Sequence, residues 1–330
     1  MSAFIQHGGA LDAAIAAHGG TLADWLDLST GINPRPYPIP ALPEHVWQRL
    51  PQEADMFASV NAAKSYYRVP GGAELVAGPG TQAIIQWLPY LWPGRSAVIA
   101  APTYGEYDRV FQLAGHGVRH VADFDGSSVQ NSVVFIGNPN NPDGRVWQRE
   151  DCETLLARGA VLVIDEAFAD VAPEVSLIDL ADRENVLVLK SFGKFFGLAG
   201  VRLGFAIGQG DLPGRLDQML GPWSVPGPAL TVGTRAISDV AWIADTRRWL
   251  AGQRARLDAM LDDMGFEPVG ATDLFITVSH KKASAIYESL LSQRILVRPF
   301  DYAPTWLRFG LPQTQSALER LKKSLERAVP

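Results

Sequence analysis

Ser191-Phe192-Gly193-Lys194 places an amine directly after an apolar run, and Arg202 follows eight residues on inside Gly200-Val201-Arg202-Leu203-Gly204. Lys194 sits among Phe192, Phe195, Phe196 and Leu198. An ammonium is costly there, so its pKa is expected to fall and free the amine for imine formation. Taken alone, a lysine that extends its stem out of an apolar loop to reach water is an equal reading. Val161-Leu162-Val163-Ile164-Asp165-Glu166 ends a buried strand on a carboxylate, where α/β sheets hold ligands. An Asp at that point can pair with a protonated pyridine nitrogen and let the ring accept electrons. A metal-binding carboxylate of a nucleotide site has the same look, but no Gly-x-x-x-x-Gly-Lys-Ser/Thr phosphate loop stands in the chain. Gly137-Asn138-Pro139-Asn140-Asn141-Pro142-Asp143-Gly144 fixes its backbone with two X-Pro steps, and its Asn side chains can hydrogen-bond a ligand. A plain surface turn explains that stretch too. Gly78-Pro79-Gly80-Thr81-Gln82 precedes an apolar helix; a helix start there offers amides and a hydroxyl to a phosphate, although an ordinary N-cap at Thr81 is also consistent.

These residues need strand ends and helix starts to hold them. The runs Ala97–Ala101, Val133–Ile136, Val161–Ile164, Val186–Leu189 and Leu203–Ile207 are apolar at every position, which suits parallel strands covered on both faces. Helical stretches fall between several of them, so the expectation is a doubly wound, mostly parallel α/β sheet. Before it, Leu11, Ile15 and His18 share a helix face that Gly19-Gly20 ends, and Asn33 to Pro43 carries five prolines as an extended connector. After Asp239, Leu250, Leu257, Leu261 and Met264 recur at helical spacing up to Gly265. Residues 274–278 and 295–297 are strand-like and 315–328 a polar helix, which together read as a small α+β domain. The expected organisation is an N-terminal segment, 1–32, packing on the small domain and the active site; a large domain, 33–240; and a small domain, 241–330.

Composition bounds the function. The chain has 330 residues, 47% hydrophobic and 19% charged, with a net charge of −6. That balance disfavours nucleic acid or an anionic membrane as partner, while a small anionic substrate needs only a few placed arginines. Arg247, Arg248, Arg254 and Arg256 read as a solvated helix face. The single cysteine, Cys152, excludes an intramolecular disulfide and a multi-Cys metal site, and it reads as a buried small hydrophobe. No metal is expected. No apolar run has membrane-spanning length and no signal peptide is apparent at the N-terminus, so the expected compartment is the cytoplasm.

Together the four motifs resemble the fold-type-I pyridoxal-phosphate (PLP) enzymes, specifically the class I/II aminotransferase family that includes the histidinol-phosphate aminotransferases. The match of order and spacing covers residues 25–312. The resemblance implies that Lys194 holds PLP as a Schiff base and that Asp165 pairs with the pyridinium nitrogen. It implies that Asn141 bonds the phenolic oxygen, that Tyr104 stacks on the ring, and that Gly80, Thr81, Gln82, Ser191 and Arg202 hold the cofactor phosphate. Arg308, in Trp306-Leu307-Arg308-Phe309-Gly310, matches the arginine that clamps a substrate carboxylate. Members of the family are homodimers.

Within the family, His7-Gly8-Gly9, the run Asp27 to Pro34 that contains Asn33, and Arg298 are similar to the L-threonine-O-3-phosphate decarboxylases of cobalamin biosynthesis. That likeness implies substrate contacts from His7, Gly8, Asn33, Asn141, Arg298 and Arg308, with His7 and Arg298 at the substrate phosphate. Phe168, in Asp165-Glu166-Ala167-Phe168, stands where the aminotransferases keep a Tyr, and the decarboxylases look similar there. Three positions depart from the family pattern: Leu50 in place of a tyrosine given across the dimer, Gly193 in place of a phosphate-binding Ser, and Asp143 in place of Thr. The expected activity is decarboxylation of L-threonine O-3-phosphate. The alternatives are an aminotransferase acting on a phosphorylated substrate such as histidinol phosphate, and a non-catalytic PLP-binding regulatory protein.

Overall fold

The all-apolar runs assemble into one sheet, because strands without a polar side have two faces to bury. The structure, a computed structural model, describes residues 8–124 and 129–328. The chain divides into two units. One holds the chain up to Arg35, Pro142–Gly144 and everything from Asp245; the other holds Pro36–Asn141 and Arg145–Ala244. In chain order, β1 (Leu26–Asp27) belongs to the first unit. The second unit carries β2 (Glu74–Gly78), β3 (Ala97–Ala100), β4 (Val118–Val121), β5 (Val133–Gly137), β6 (Val161–Asp165), β7 (Val186–Ser191) and β8 (Gly204–Gly208).

These seven strands lie in the order β2-β8-β7-β6-β5-β3-β4. The pairs β4–β3, β3–β5, β5–β6 and β6–β7 are parallel, whereas β8 runs antiparallel to both β2 and β7. The run at Leu203–Ile207 is therefore not one of the parallel strands its composition suggests. All-apolar composition reports burial on two faces, and direction is set by the connection. A parallel return needs a crossover, usually a full helix; between β7 and β8 there is only the one-turn helix Phe192–Phe195 and a 3₁₀ turn at Ala199–Val201. The edge strands β2 and β4 escape the apolar-run criterion, since Glu74, Arg119 and His120 interrupt them. Ile84, Leu88, Phe111, Phe135, Val163, Leu189 and Ala206 pack into one core cluster of helix and sheet side chains.

In the first unit, β9 (Glu267–Thr272), β10 (Phe275–Ser279), β12 (Arg298–Pro299) and β13 (Trp306–Gly310) form an antiparallel sheet in the order β12-β13-β10-β9. The remaining strand, β11 (Ile295–Leu296), pairs in parallel with β1. Helix Leu11–His18 ends at Gly19, whose φ of 73° suits glycine, and Trp25, Leu291 and Leu296 bury its apolar side. Two arginines of helix Val240–Asp263 face carboxylates: Arg254 lies 3.0 Å from both Asp258 and Asp273, and Arg248 lies 3.6 Å from Asp245. Among the described residues no helix is long and apolar enough to cross a membrane.

Candidate active site

In the second unit, the C-terminal ends of the strands surround a pocket. Gly80, Thr81, Gln82, Tyr104, Tyr107, Asn141, Asp165, Phe168, Ser191, Gly193, Lys194 and Arg202 are among its lining. Every cofactor-site residue expected from the sequence is thus in one cavity.

Asp165 ends β6 and is buried. Its Oδ2 accepts the Tyr107 hydroxyl at 2.6 Å, and its Oδ1 accepts the Ala167 amide at 2.9 Å. Burial raises its pKa above the usual carboxylate range; the two donors and the charge of Lys194 pull the other way. Lys194 lies on the one-turn helix after β7, with Nζ 5.6 Å from the centre of the Phe168 ring.

Helix Thr81–Leu91 begins at the pocket, and its first amides have no acceptor within the helix. Gly80, not Thr81, is its N-cap residue. Gly80 has φ of 85°, and a Cβ there would fall 2.6 Å from Arg202 Nη2. Glycine therefore lets the guanidinium lie over the helix start, making an anion cradle of amides and arginine. Gly193 has a packing reason of its own. A Cβ at that position would lie 2.8 Å from Ala199 Cα, so the turn between β7 and β8 closes too tightly for the Ser the family often has. The Tyr104 hydroxyl donates to Gln82 Oε1 at 2.9 Å, while Gln82 Nε2 donates to Glu106 at 2.5 Å. Glu106 is in turn held by Arg109 at 2.7 Å.

The lining fits PLP. A buried carboxylate suits a ring nitrogen, the amine of Lys194 suits the aldehyde, an aromatic face is present, and the amide–arginine cradle suits a phosphate. The sequence reading missed Tyr107, Glu106 and Lys190. Lys190 is a buried cation paired with the buried Glu166, whose carboxylate also accepts from Ser176 at 2.6 Å. The two closely spaced tyrosines, Tyr104 and Tyr107, at the entry to a helix were available as a signal, and their rings meet edge-on at 5.6 Å.

The first unit holds a second set. Arg308 on β13 and Arg298 on β12 are direct partners across the sheet. Arg308 is buried; its Nη2 donates to the Ser29 carbonyl oxygen at 2.9 Å and its Cζ sits 5.1 Å from the Phe275 ring centre. Burial first, then the neighbouring Arg298 charge, lowers its pKa to about 10. Arg298 lies 5.6 Å from the Phe300 ring centre, and burial lowers its pKa too. Asn33 is buried and accepts the Arg35 amide at 2.9 Å. The Gly9 amide donates to Ser29 Oγ at 2.8 Å, and Gly8 packs so closely that a Cβ would fall 2.2 Å from the Ser29 oxygen. His7 lies outside the described residues. Among the described residues there is no cluster of His, Cys, Asp or Glu suited to a metal.

Comparisons with known proteins agree with this geometry. The model of the family "Aminotransferase class I and II" matches residues 25–325. The chain is 45% identical to a threonine-phosphate decarboxylase of a Sinorhizobium species, over 99% of each chain. It is 39% identical to one of Pseudomonas aeruginosa, over 97% of each. Among solved structures, the histidinol-phosphate aminotransferase of Sinorhizobium meliloti in complex with pyridoxal-5'-phosphate superimposes with a TM-score of 0.80 at 21% identity, over 96% of this chain and 94% of that one.

Proposed function

The chain belongs to the class I and II aminotransferase family, and within that family we propose that it decarboxylates L-threonine O-3-phosphate to 1-aminopropan-2-yl phosphate, with PLP as cofactor. The observation that carries this reading is Arg298 standing directly opposite Arg308 on adjacent strands. Like charges so placed repel, and a ligand that brings two anionic groups turns the repulsion into attraction. Phosphothreonine has a carboxylate and a phosphate, whereas histidinol phosphate has no carboxylate. The near-full-length identity with threonine-phosphate decarboxylases supports the same choice.

When bound, PLP supplies an electron sink conjugated to the amine-bearing carbon of the substrate. Lys194 provides the amine that anchors the cofactor and afterwards the proton returned to Cα. Asp165 keeps a proton on the ring nitrogen. Asn141 donates to the phenolic oxygen, and Tyr104 covers the ring face. Gly80, Thr81 and Gln82 with Ser191 and Arg202 hold the cofactor phosphate. Arg308, with Asn33 and Asn141, would grip the substrate carboxylate and orient it, favouring loss of carbon dioxide over loss of the Cα proton. Arg298, with His7 and Gly8, takes the substrate phosphate. Phe168 withholds the hydroxyl that transaminases of the family place at that position.

The working form is a homodimer in the cytoplasm. Trp47, Leu50, Phe57, Trp87, Tyr90 and Trp223 of the second unit are exposed, with the Trp87 and Tyr90 rings 5.9 Å apart, and a second copy of the chain is the partner that would cover them. Sedimentation of the purified protein at twice the chain mass would bear this out; monomer would refute it.

The assay is direct. Phosphothreonine should release carbon dioxide with no amino acceptor such as 2-oxoglutarate, and unphosphorylated threonine should be a poor substrate because it leaves Arg298 without its anion. Consumption of 2-oxoglutarate with histidinol phosphate, and no carbon dioxide from phosphothreonine, would overturn the decarboxylase reading in favour of an aminotransferase.

A further inference from the structure

We propose that Tyr107 is the positioning residue of Asp165: its hydroxyl fixes the direction in which the carboxylate faces the cofactor's ring nitrogen. The inference rests on the assignment of Asp165 made above, and Tyr107 has no other part in that reading.

Tyr107 is 2% exposed. Its ring stacks on Phe135 of β5, with centroids 5.0 Å apart and planes 17° apart, and meets Tyr104 edge-on at 5.6 Å. These contacts fix the ring, and the ring fixes the hydroxyl. The hydroxyl donates to Asp165 Oδ2 at 2.6 Å, while the Ala167 amide holds Oδ1 at 2.9 Å. A carboxylate with a donor on each oxygen cannot rotate, and it presents its remaining lone pairs in one direction. Asp165 is part of the pocket lining, so that orientation serves a group bound there.

The hydroxyl also favours the charged form. The ionisable groups that act on Asp165 are Tyr107, Tyr104, Lys194 and Glu166. Burial and the Glu166 charge favour the neutral acid; the Tyr107 and Ala167 hydrogen bonds and the Lys194 charge favour the carboxylate. Tyr107 acts only as a donor at working pH, since burial and the Asp165 charge hold its phenol well above the ordinary value. A neutral carboxylic acid would offer the ring nitrogen its proton weakly and could not stabilise the charged ring. The hydroxyl therefore offsets the penalty of placing this carboxylate in the interior.

The experiment compares wild type, Tyr107→Phe and Asp165→Asn, each labelled with carboxyl-¹³C aspartate, by NMR titration of the cofactor-free protein. The Asp165 signal is identified by its loss in Asp165→Asn. In Tyr107→Phe its midpoint should rise by about one pH unit, as expected for one lost hydrogen bond to a buried carboxylate. In the loaded enzyme, the acid limb of kcat/KM for phosphothreonine should move up with it. Should Tyr107→Phe not fold, 3-fluorotyrosine placed at 107 keeps the ring and gives a stronger donor, and the midpoint should move down instead. A midpoint that neither change moves would overturn the inference and leave Tyr107 as packing. Failure of the underlying assignment looks different: Asp165→Asn would then keep near wild-type turnover, whatever the Tyr107 variants do.

Discussion

Replacing Arg298 with methionine should make the empty protein slightly more stable and the enzyme much worse. Methionine keeps an apolar stem against Phe300, which Arg298 covers at 5.6 Å, and removes only the charge. Arg298 and Arg308 are direct cross-strand partners. Two such facing charges repel by about 2 kcal/mol at an effective dielectric constant of about 20. Arg298 is partly exposed, and screening brings this down to about 1 kcal/mol. Unfolding entropy is about 2 cal/mol/K per residue. Over 330 residues, 1 kcal/mol then corresponds to a Tm increase of about 1.5 °C. The loss on the other side is larger. A phosphate deprived of this half-buried guanidinium loses about 2 kcal/mol, which is a fall of about thirtyfold in kcat/KM for phosphothreonine. Unphosphorylated threonine, which leaves that charge without its anion, should react no more slowly than with the wild type. The assay is carbon dioxide release from both substrates by both proteins, with melting curves of the empty forms. Equal losses on threonine and phosphothreonine would show that Arg298 does not face the phosphate. A fall in Tm by several degrees would show that the pair is not repulsive in the empty protein.

Lys194→Ala should carry no cofactor after borohydride reduction, whereas the wild type should carry it covalently on Lys194; a trapped adduct in the variant would place the imine elsewhere. Glu166→Gln leaves the Lys190 ammonium buried without its carboxylate, which should cost about 3–5 kcal/mol. That loss should lower Tm by about 4–7 °C, and the double change Glu166→Leu with Lys190→Met should recover most of it. Asp165→Asn should lose most of the turnover, yet without cofactor it should melt no lower than wild type at neutral pH. The sign follows from the raised pKa of Asp165. The folded chain holds that proton more tightly than the unfolded chain, so this contribution is full below the ordinary carboxylate range and lost as pH rises through the raised value. The advantage of the Asn variant should therefore vanish on acidification, and a variant that melts well below wild type at every pH would contradict this.

Lys194 and Asp165 were legible because each follows an uninterrupted apolar run, and the end of such a run is a strand end whatever the rest of the chain does, while the Gly80–Gln82 turn was legible from the apolar helix that follows it. Cys152 was legible for a similar reason: a thiol on the apolar face of a helix is buried, and burial pushes it up to about 12. The resemblance added the arginines, which no local pattern around Arg298 or Arg308 would have singled out.

Other features have no local signature. Tyr107 and Asp165 are 58 residues apart and meet only because β5 and β6 pair and the helix Glu106–Leu113 packs beside them. Lys190 and Glu166 each look like a charge at the end of an apolar strand, and only the pairing of β6 with β7 turns them into one neutral buried pair. The direction of β8 was settled by the short connection, not by its composition. Gly193 is a departure from the family pattern in sequence, but in space it is the residue that lets Ala199 approach. The chain's own pattern determined which residues are apolar, where strands end, and which side chains carry chemistry, because those depend on neighbours along the backbone. Which donor meets which acceptor, and which two like charges face each other, only the tertiary structure decided, because strand order and register bring together residues that the backbone keeps far apart.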